Sequence, residues 1–152
     1  MTAPAYKKPL PKPENPELTK PYWDAIRRHE LVQQRCIGCA RMIFYPREQC
    51  PYCFSQDLEY VPVTGRGRVH AFTIVYQPAH PGFTEDAPFV FALIQLDEGV
   101  RIISNVVGCD PQEVKVDMPV VATYEDVTPE WTLVKFKPAE PPTRQFPRLR
   151  SE

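Results

Sequence analysis

What this 152-residue chain lacks narrows its class before anything it contains. No uninterrupted apolar run approaches the roughly 20 residues that a membrane-spanning helix requires, so a soluble protein is expected. The opening MTAPAYKKPLPKPENP has no apolar segment of roughly 7–15 residues ahead of a small-residue cleavage site, so a secretory signal is not readable and a cytoplasmic location is the default. Histidine is scarce: His29, His70 and His80 are the whole set, and no motif places a nucleophile beside a base, so no catalytic residue is assigned. A positive surplus is missing too. Residues 22–137 carry eleven basic and fifteen acidic side chains, a balance of −4, which repels polyanions on average and handicaps a nucleic-acid role. The length suits one ordinary domain or two small modules.

Proline, by contrast, is abundant, with 19 residues, six of them in 1–21 and four in 138–147. Proline fixes φ and lacks an amide donor, so such ends favour extended chain that orders only against something else. Both arms, 1–16 and 138–152, are therefore expected to be disordered alone and ordered against a partner, with Tyr22 to Lys137 as the folded body.

Four of the five cysteines form the strongest local pattern: Cys36-x2-Cys39, ten residues, then Cys50-x2-Cys53. A Cys-x2-Cys turn converges two sulfurs on one cation, and a short hairpin returns the second pair to complete a tetrahedron. Soft thiolates favour zinc, with iron as runner-up. Paired disulfides belong to secreted chains, and a redox Cys-x-x-Cys usually opens a helix rather than recurring in a hairpin. Four thiolates fill the coordination sphere, so this metal should hold shape rather than perform chemistry. The fifth, Cys109, has no visible activating base and is expected to be a free, apolar-behaving thiol.

Upstream, Leu18, Tyr22, Ile26 and His29 approach helical spacing, with Asn15 or Thr19 as cap, predicting a short amphipathic helix over about residues 17–30. Tyr22 and Trp23 are adjacent, and one narrow stripe cannot bury both; either one faces a partner or both pack on the same chain. Beyond Cys53 the pattern is β. Val63 to Tyr76 reads as one long strand bent at its two glycines, Phe89 to Leu96 and Val100 to Val107 as a hairpin, and Pro119 to Val127 and Trp131 to Phe136 as two closing strands. A short helical turn after Asp110 falls between the third and fourth strands, which is OB-barrel order, with an SH3-like barrel as the alternative. The segment Gln77–Pro88 is long and proline-rich for a hairpin loop, which marks it for function.

Taken together, PYWDAIRRHELVQQRCIGCARMIFYPREQCPYC, VTGRGRVHAFTIVYQPAHPGF, APFVFALIQLDEGVRIISNVVGCDP and the final MPV resemble the acyl-CoA-associated family that joins a rubredoxin-like zinc ribbon to a C-terminal OB fold. The resemblance covers roughly residues 16–137. It departs at Asp117, where a glycine commonly precedes Met-Pro-Val, which puts the local turn in question. The fold class it implies is mainly β: a short N-terminal helix, the ribbon, and a five-stranded OB barrel. The division that follows is an extended arm over 1–16, helix and ribbon over 17–58, OB fold over 59–137 and a Pro/Arg-containing tail over 138–152.

The resemblance also implies a non-catalytic accessory subunit of a thiolase-fold partner, a thiolase, acyltransferase or aldolase, in a heterotetramer or larger assembly. In that setting coenzyme A or acyl-CoA is a ligand shared with the partner, and this chain helps to shape its channel. Cations for phosphate would be Arg47, Arg66, Arg68 and Arg101; Pro78, Phe83 and Phe89 would wall the acyl side, His80 would meet substrate, and Tyr22 and Trp23 would touch the partner. Two other readings compete: a single-stranded nucleic-acid module stacking bases on Phe72, Tyr76, Phe91 and Tyr124, and a stand-alone acyl-CoA binder or thioesterase.

Overall fold

The computed structural model describes residues 6–139. Helix α1 spans Pro16–Arg27 and starts where the sequence supplies a cap: the Asn15 side chain accepts from the Leu18 N–H at 3.2 Å, and Pro16 occupies a first-turn position that needs no donor. It stops short of residue 30 because His29 takes a left-handed φ of +60°. The buried face is Tyr22, Ala25 and Ile26.

Strands β1 (Leu31–Cys36), β2 (Met42–Ile43) and β3 (Leu58–Val63) form an antiparallel sheet in the order β2-β1-β3. Five more close a barrel in the order β4-β5-β6-β8-β7: β4 (Arg66–Val75), β5 (Phe89–Leu96), β6 (Arg101–Val106), β7 (Pro119–Asp126) and β8 (Thr132–Pro138). A 3₁₀ turn, Pro111–Glu113, sits between β6 and β7, completing the OB order, and a second, Pro81–Asp86, structures the long loop.

The expected strand from Val63 to Tyr76 is β4 over Arg66–Val75, while its first residue, Val63, closes the preceding strand β3. Leu58–Val63 pairs with β1 in the ribbon sheet, from Leu31↔Val63 to Cys36↔Leu58, and Gly65 at φ +76° swings the chain into the barrel. Gly67 makes no such bend. A Cβ there would collide with the Gln95 carbonyl of β5, so glycine is required by close strand approach. The kink in β4 comes from a register shift between Val69 and Ala71. At the departure from the family pattern, Asp117 adopts φ +68°, the conformation a glycine would supply, and its N–H bonds the Val69 carbonyl at 2.8 Å.

One apolar cluster unites helix, ribbon root and barrel. Tyr22, Ile26 and Leu31 pack with Val69, Ile94, Ile102 and Phe136, each buried, at roughly 1.5–3 kcal/mol for every side chain removed from water. The expectation that the N-terminal arm orders only against a partner is corrected for its described part. Lys8 pairs with Asp86 at 2.5 Å and lies over the Phe83 ring, and Asn15 donates to Glu48 at 2.9 Å, so residues 6–15 lie along the chain's own body. Pro138 and Ala139 extend the β7–β8 ladder, with the Ala139 N–H on the Pro119 carbonyl; residues 1–5 and 140–152 lie outside the described residues.

Candidate functional site

The two Cys-x2-Cys turns are built alike. Each is followed by a residue in the left-handed region, Ala40 at φ +62° and Phe54 at +63°, whose N–H bonds the carbonyl of the first cysteine in its turn. The thiols also receive backbone donors: Cys39 N–H to Cys36 Sγ and Tyr52 N–H to Cys50 Sγ, both 3.4 Å. Cys36 and Cys53 sulfurs lie 3.5 Å apart, Cys39 and Cys50 sulfurs 3.7 Å, and all four fall within 4.8 Å of one another. Four sulfurs at about 2.3 Å from a central ion stand about 3.8 Å apart, so the cluster fits a tetrahedral metal.

Its ionisation is uneven. Burial opposes the charged form of Cys50, yet the Cys53 and Tyr52 N–H groups and the Cys39 thiol outweigh it and draw Cys50 down to about 6. Cys53 is pushed up to about 12: a Ser55 N–H favours its thiolate, but sharing with the Cys36 sulfur, burial and the other two thiols prevail. A dication held by Cys36, Cys39, Cys50 and Cys53 would displace the remaining protons.

The residues assigned to acyl-CoA separate into three places. Phe83 and Phe89 do meet, with centroids 6.0 Å apart, in a groove of about 460 Å³ that also takes in Tyr6, Lys8 and Cys109. His80 stands beside Phe83, but its Nδ1 is occupied as acceptor for the Gly82 N–H at 2.9 Å, and Pro78 is half-buried in the same loop. Arg66, Arg68 and Arg101 share the outer face of the barrel instead, where Arg68 donates to the Asp117 carbonyl and Arg101 to Gln95. Arg47 is far along the ribbon hairpin, its backbone clamped from both sides by the Gln34 side chain. The arginines line neither of the two larger grooves.

Tyr22 and Trp23 resolve toward packing on their own chain. Tyr22 is 7% exposed, edge-on to Trp23 at 5.3 Å, and Trp23 is edge-on to Trp131 at 5.2 Å. Burial in the apolar cluster pushes the Tyr22 hydroxyl well above its ordinary range. Both border a second groove of about 440 Å³ with Phe44, Tyr45 and Ile103. The reading from sequence missed Ile103 and gave Phe91 only to nucleic acid. The signal was present: β5 is apolar on both faces, Val90-Ala92-Ile94-Leu96 inward and Phe91-Leu93 outward, as expected of a strand covered on both sides.

The remaining reactive groups are engaged or quiet. His29 Nε2 meets Asp126 at 3.0 Å, its ring stacked on Tyr124, and Thr132 donates its hydroxyl to the same carboxylate. Those bonds, the Thr132 one foremost, hold Asp126 below the usual carboxylate range, which makes it a poor base. Cys109 is half-buried, and burial with Glu113 and Asp110 nearby pushes its thiol up, away from nucleophilicity.

A tetrathiolate ribbon rooted on an OB barrel is the class that this fold and site define. The model of the ChsH2 rubredoxin-like zinc ribbon domain matches residues 23–59, and that of the ChsH2 C-terminal OB-fold domain residues 60–125. A DUF35 domain-containing scaffold protein of Methanocaldococcus jannaschii is 33% identical over 126 residues, covering 78% of this chain and 89% of the relative. A benzoylsuccinyl-CoA thiolase subunit, BbsA, of Geobacter metallireducens is 30% identical over 105 residues, 65% of this chain and 68% of the relative. Among solved structures, the Ltp2-ChsH2(DUF35) aldolase contains a chain that superposes with a TM-score of 0.74 at 35% identity, covering 84% of this chain and 98% of that one. The chain belongs to this DUF35 family of zinc-ribbon and OB-fold proteins. It spans only 37% of a probable enoyl-CoA hydratase alpha subunit of Thermomonospora curvata, to which it is 38% identical over 120 residues.

Proposed function

We propose that this chain is a non-catalytic accessory subunit that binds and stabilises a thiolase-superfamily enzyme and helps to form its acyl-CoA channel. The observation that carries the reading is the superposition on nearly the whole length of a chain in the Ltp2-ChsH2(DUF35) aldolase. Other relatives bear the names scaffold protein and thiolase subunit, which supports the same role.

The metal is zinc in this reading, one ion per chain, held by Cys36, Cys39, Cys50 and Cys53 and structural because four protein thiolates leave no open position. Coenzyme A or acyl-CoA is shared with the partner. Phe83 and Phe89 wall a groove suited to an acyl or pantetheine chain, with His80 and Pro78 on its loop, while Arg47, Arg66, Arg68 and Arg101 lie outside it. Trp23, half-buried at a groove rim, contributes to partner contact and the buried Tyr22 supports it from below.

Co-expression with a thiolase-fold protein of the same genome is the test. A stable heterotetramer or larger species in light scattering, with about one zinc per chain by elemental analysis, is expected. A chain that stays alone at micromolar concentration, or that by itself cleaves an acyl-CoA thioester at a rate abolished by changing one of its own side chains, overturns the proposal.

A further inference from the structure

The register of the barrel places nine side chains in three rows on the outer face of β4, β5 and β6. The rows are Arg68–Gln95–Arg101, Ala71–Leu93–Ile103 and Thr73–Phe91–Asn105. The middle and last rows are apolar at their centre and open to solvent: Phe91 is 47% exposed and Ile103 44%, against inward neighbours Val90, Ile94 and Ile102 at 0–1%. Ile103 and Asn105 also border the groove lined by Trp23, Phe44 and Tyr45, so the apolar surface continues to the ribbon root.

One end of this face is positive. Arg66 extends the first row along β4, and among the described residues no carboxylate lies within 4.0 Å of Arg66, Arg68 or Arg101. The three guanidinium groups stand at this edge without an ion pair, while Asp97, Glu98 and Asp117 occupy the adjoining turns beyond 4.0 Å. Covering them is favourable only against anionic groups, carboxylates in the case of a protein surface, because a desolvated charge left without its counterpart costs more than the contact returns.

We infer that this β4–β5–β6 face is where the catalytic partner docks, and that the partner presents an apolar patch to Phe91, Leu93 and Ile103 with aspartates or glutamates set against the arginine row. This rests on the accessory-subunit proposal and adds which surface is used and what chemistry meets it. OB barrels also take single-stranded nucleic acid on their second and third strands, here β5 and β6. That use needs successive stacking rings, and the three rows offer one aromatic among aliphatic side chains, so the protein partner is the better fit.

The 152-residue chain, co-expressed with a thiolase-fold protein of the same genome, carries the test. Replacing Phe91→Glu together with Ile103→Glu is expected to weaken association about 100-fold or more, as for paired central hot spots, with zinc content and melting temperature unchanged. Arg68→Glu with Arg101→Glu, on exposed positions, is expected to weaken it about 10-fold and to reduce its salt dependence. This second pair decides the matter if the first fails to fold. Wild-type affinity in both pairs overturns the inference, as does loss of binding only on Phe54→Glu at the ribbon tip. Micromolar binding of a dT20 oligonucleotide that disappears in Phe91→Glu overturns it in favour of nucleic acid. If the wild-type chain forms no heteromer, the accessory-subunit proposal falls and this one with it; if it forms one that ignores the face, only this one falls.

Discussion

The ribbon tip and the barrel hold their shapes by different means. In the tip the buried apolar set is Cys36, Ile43 and Cys50, too few to offset the entropy of ordering two turns, so the fold there would rest on an ion held by the four thiolates. The barrel interior, joined by Tyr22, Ile26 and Leu31, is a continuous packed core that needs no metal. Between them runs β1, with Leu31 in the barrel cluster and Cys36 in the metal cluster five residues later. One strand thus transmits position from a core-held module to the four-cysteine tip, which is aimed by the barrel and which coordination would stabilise.

The sharpest way to break that comparison is to remove one ligand. Cys50→Ala should abolish zinc binding, forfeiting on the order of 10 kcal/mol of binding free energy. Hydrogen exchange should then lose protection over residues 36–58 and keep it in β5 and β6; a barrel that melts with the tip would refute the division. Next in size, Phe136→Ala opens a cavity in the centre of the core, where Phe136 is fully buried, and should cost about 3–5 kcal/mol in denaturant titration. Because α1 shares that core, its helical signal should be lost in the same transition.

Smaller effects test the seam between the regions. Asn15→Ala removes both the helix cap and a link to Glu48 on the ribbon hairpin, and should cost about 1 kcal/mol, measured as a lowered melting temperature. The least effect is electrostatic. Asp126 has its carboxyl depressed by Thr132 and His29, so its contribution is present above the ordinary carboxylate value and is lost as pH falls through the depressed one, below about pH 4. Asp126→Asn should flatten that acid limb of melting temperature against pH, modestly, since the pair is open to water.

Different parts of the molecule were legible to different degrees. The metal centre was readable to the residue, because Cys-x2-Cys turns and a hairpin are local. Helix α1 was readable from its cap and periodicity but not its last turn, since the left-handed His29 is an unusual stop. The strand Leu58–Val63 escaped notice because half-buried positions flank a proline in a mixed pattern, and its partner β1 lies across the ribbon. Gly65 and Gly67 look equivalent in sequence and are not: one supplies a positive φ, the other clears a neighbouring carbonyl that only strand pairing brings there.

Sequence alone therefore determined the thiolate set and the succession of the five barrel strands along the chain, both of which rest on local spacing. Tertiary structure decided which residues are neighbours across it. Phe83 joined Phe89, Trp23 joined Trp131, and Arg66, Arg68 and Arg101 left the acyl groove for the outer face that also carries Phe91 and Ile103. Local periodicity says which side of a strand a residue occupies, but barrel closure and register alone set what stands opposite.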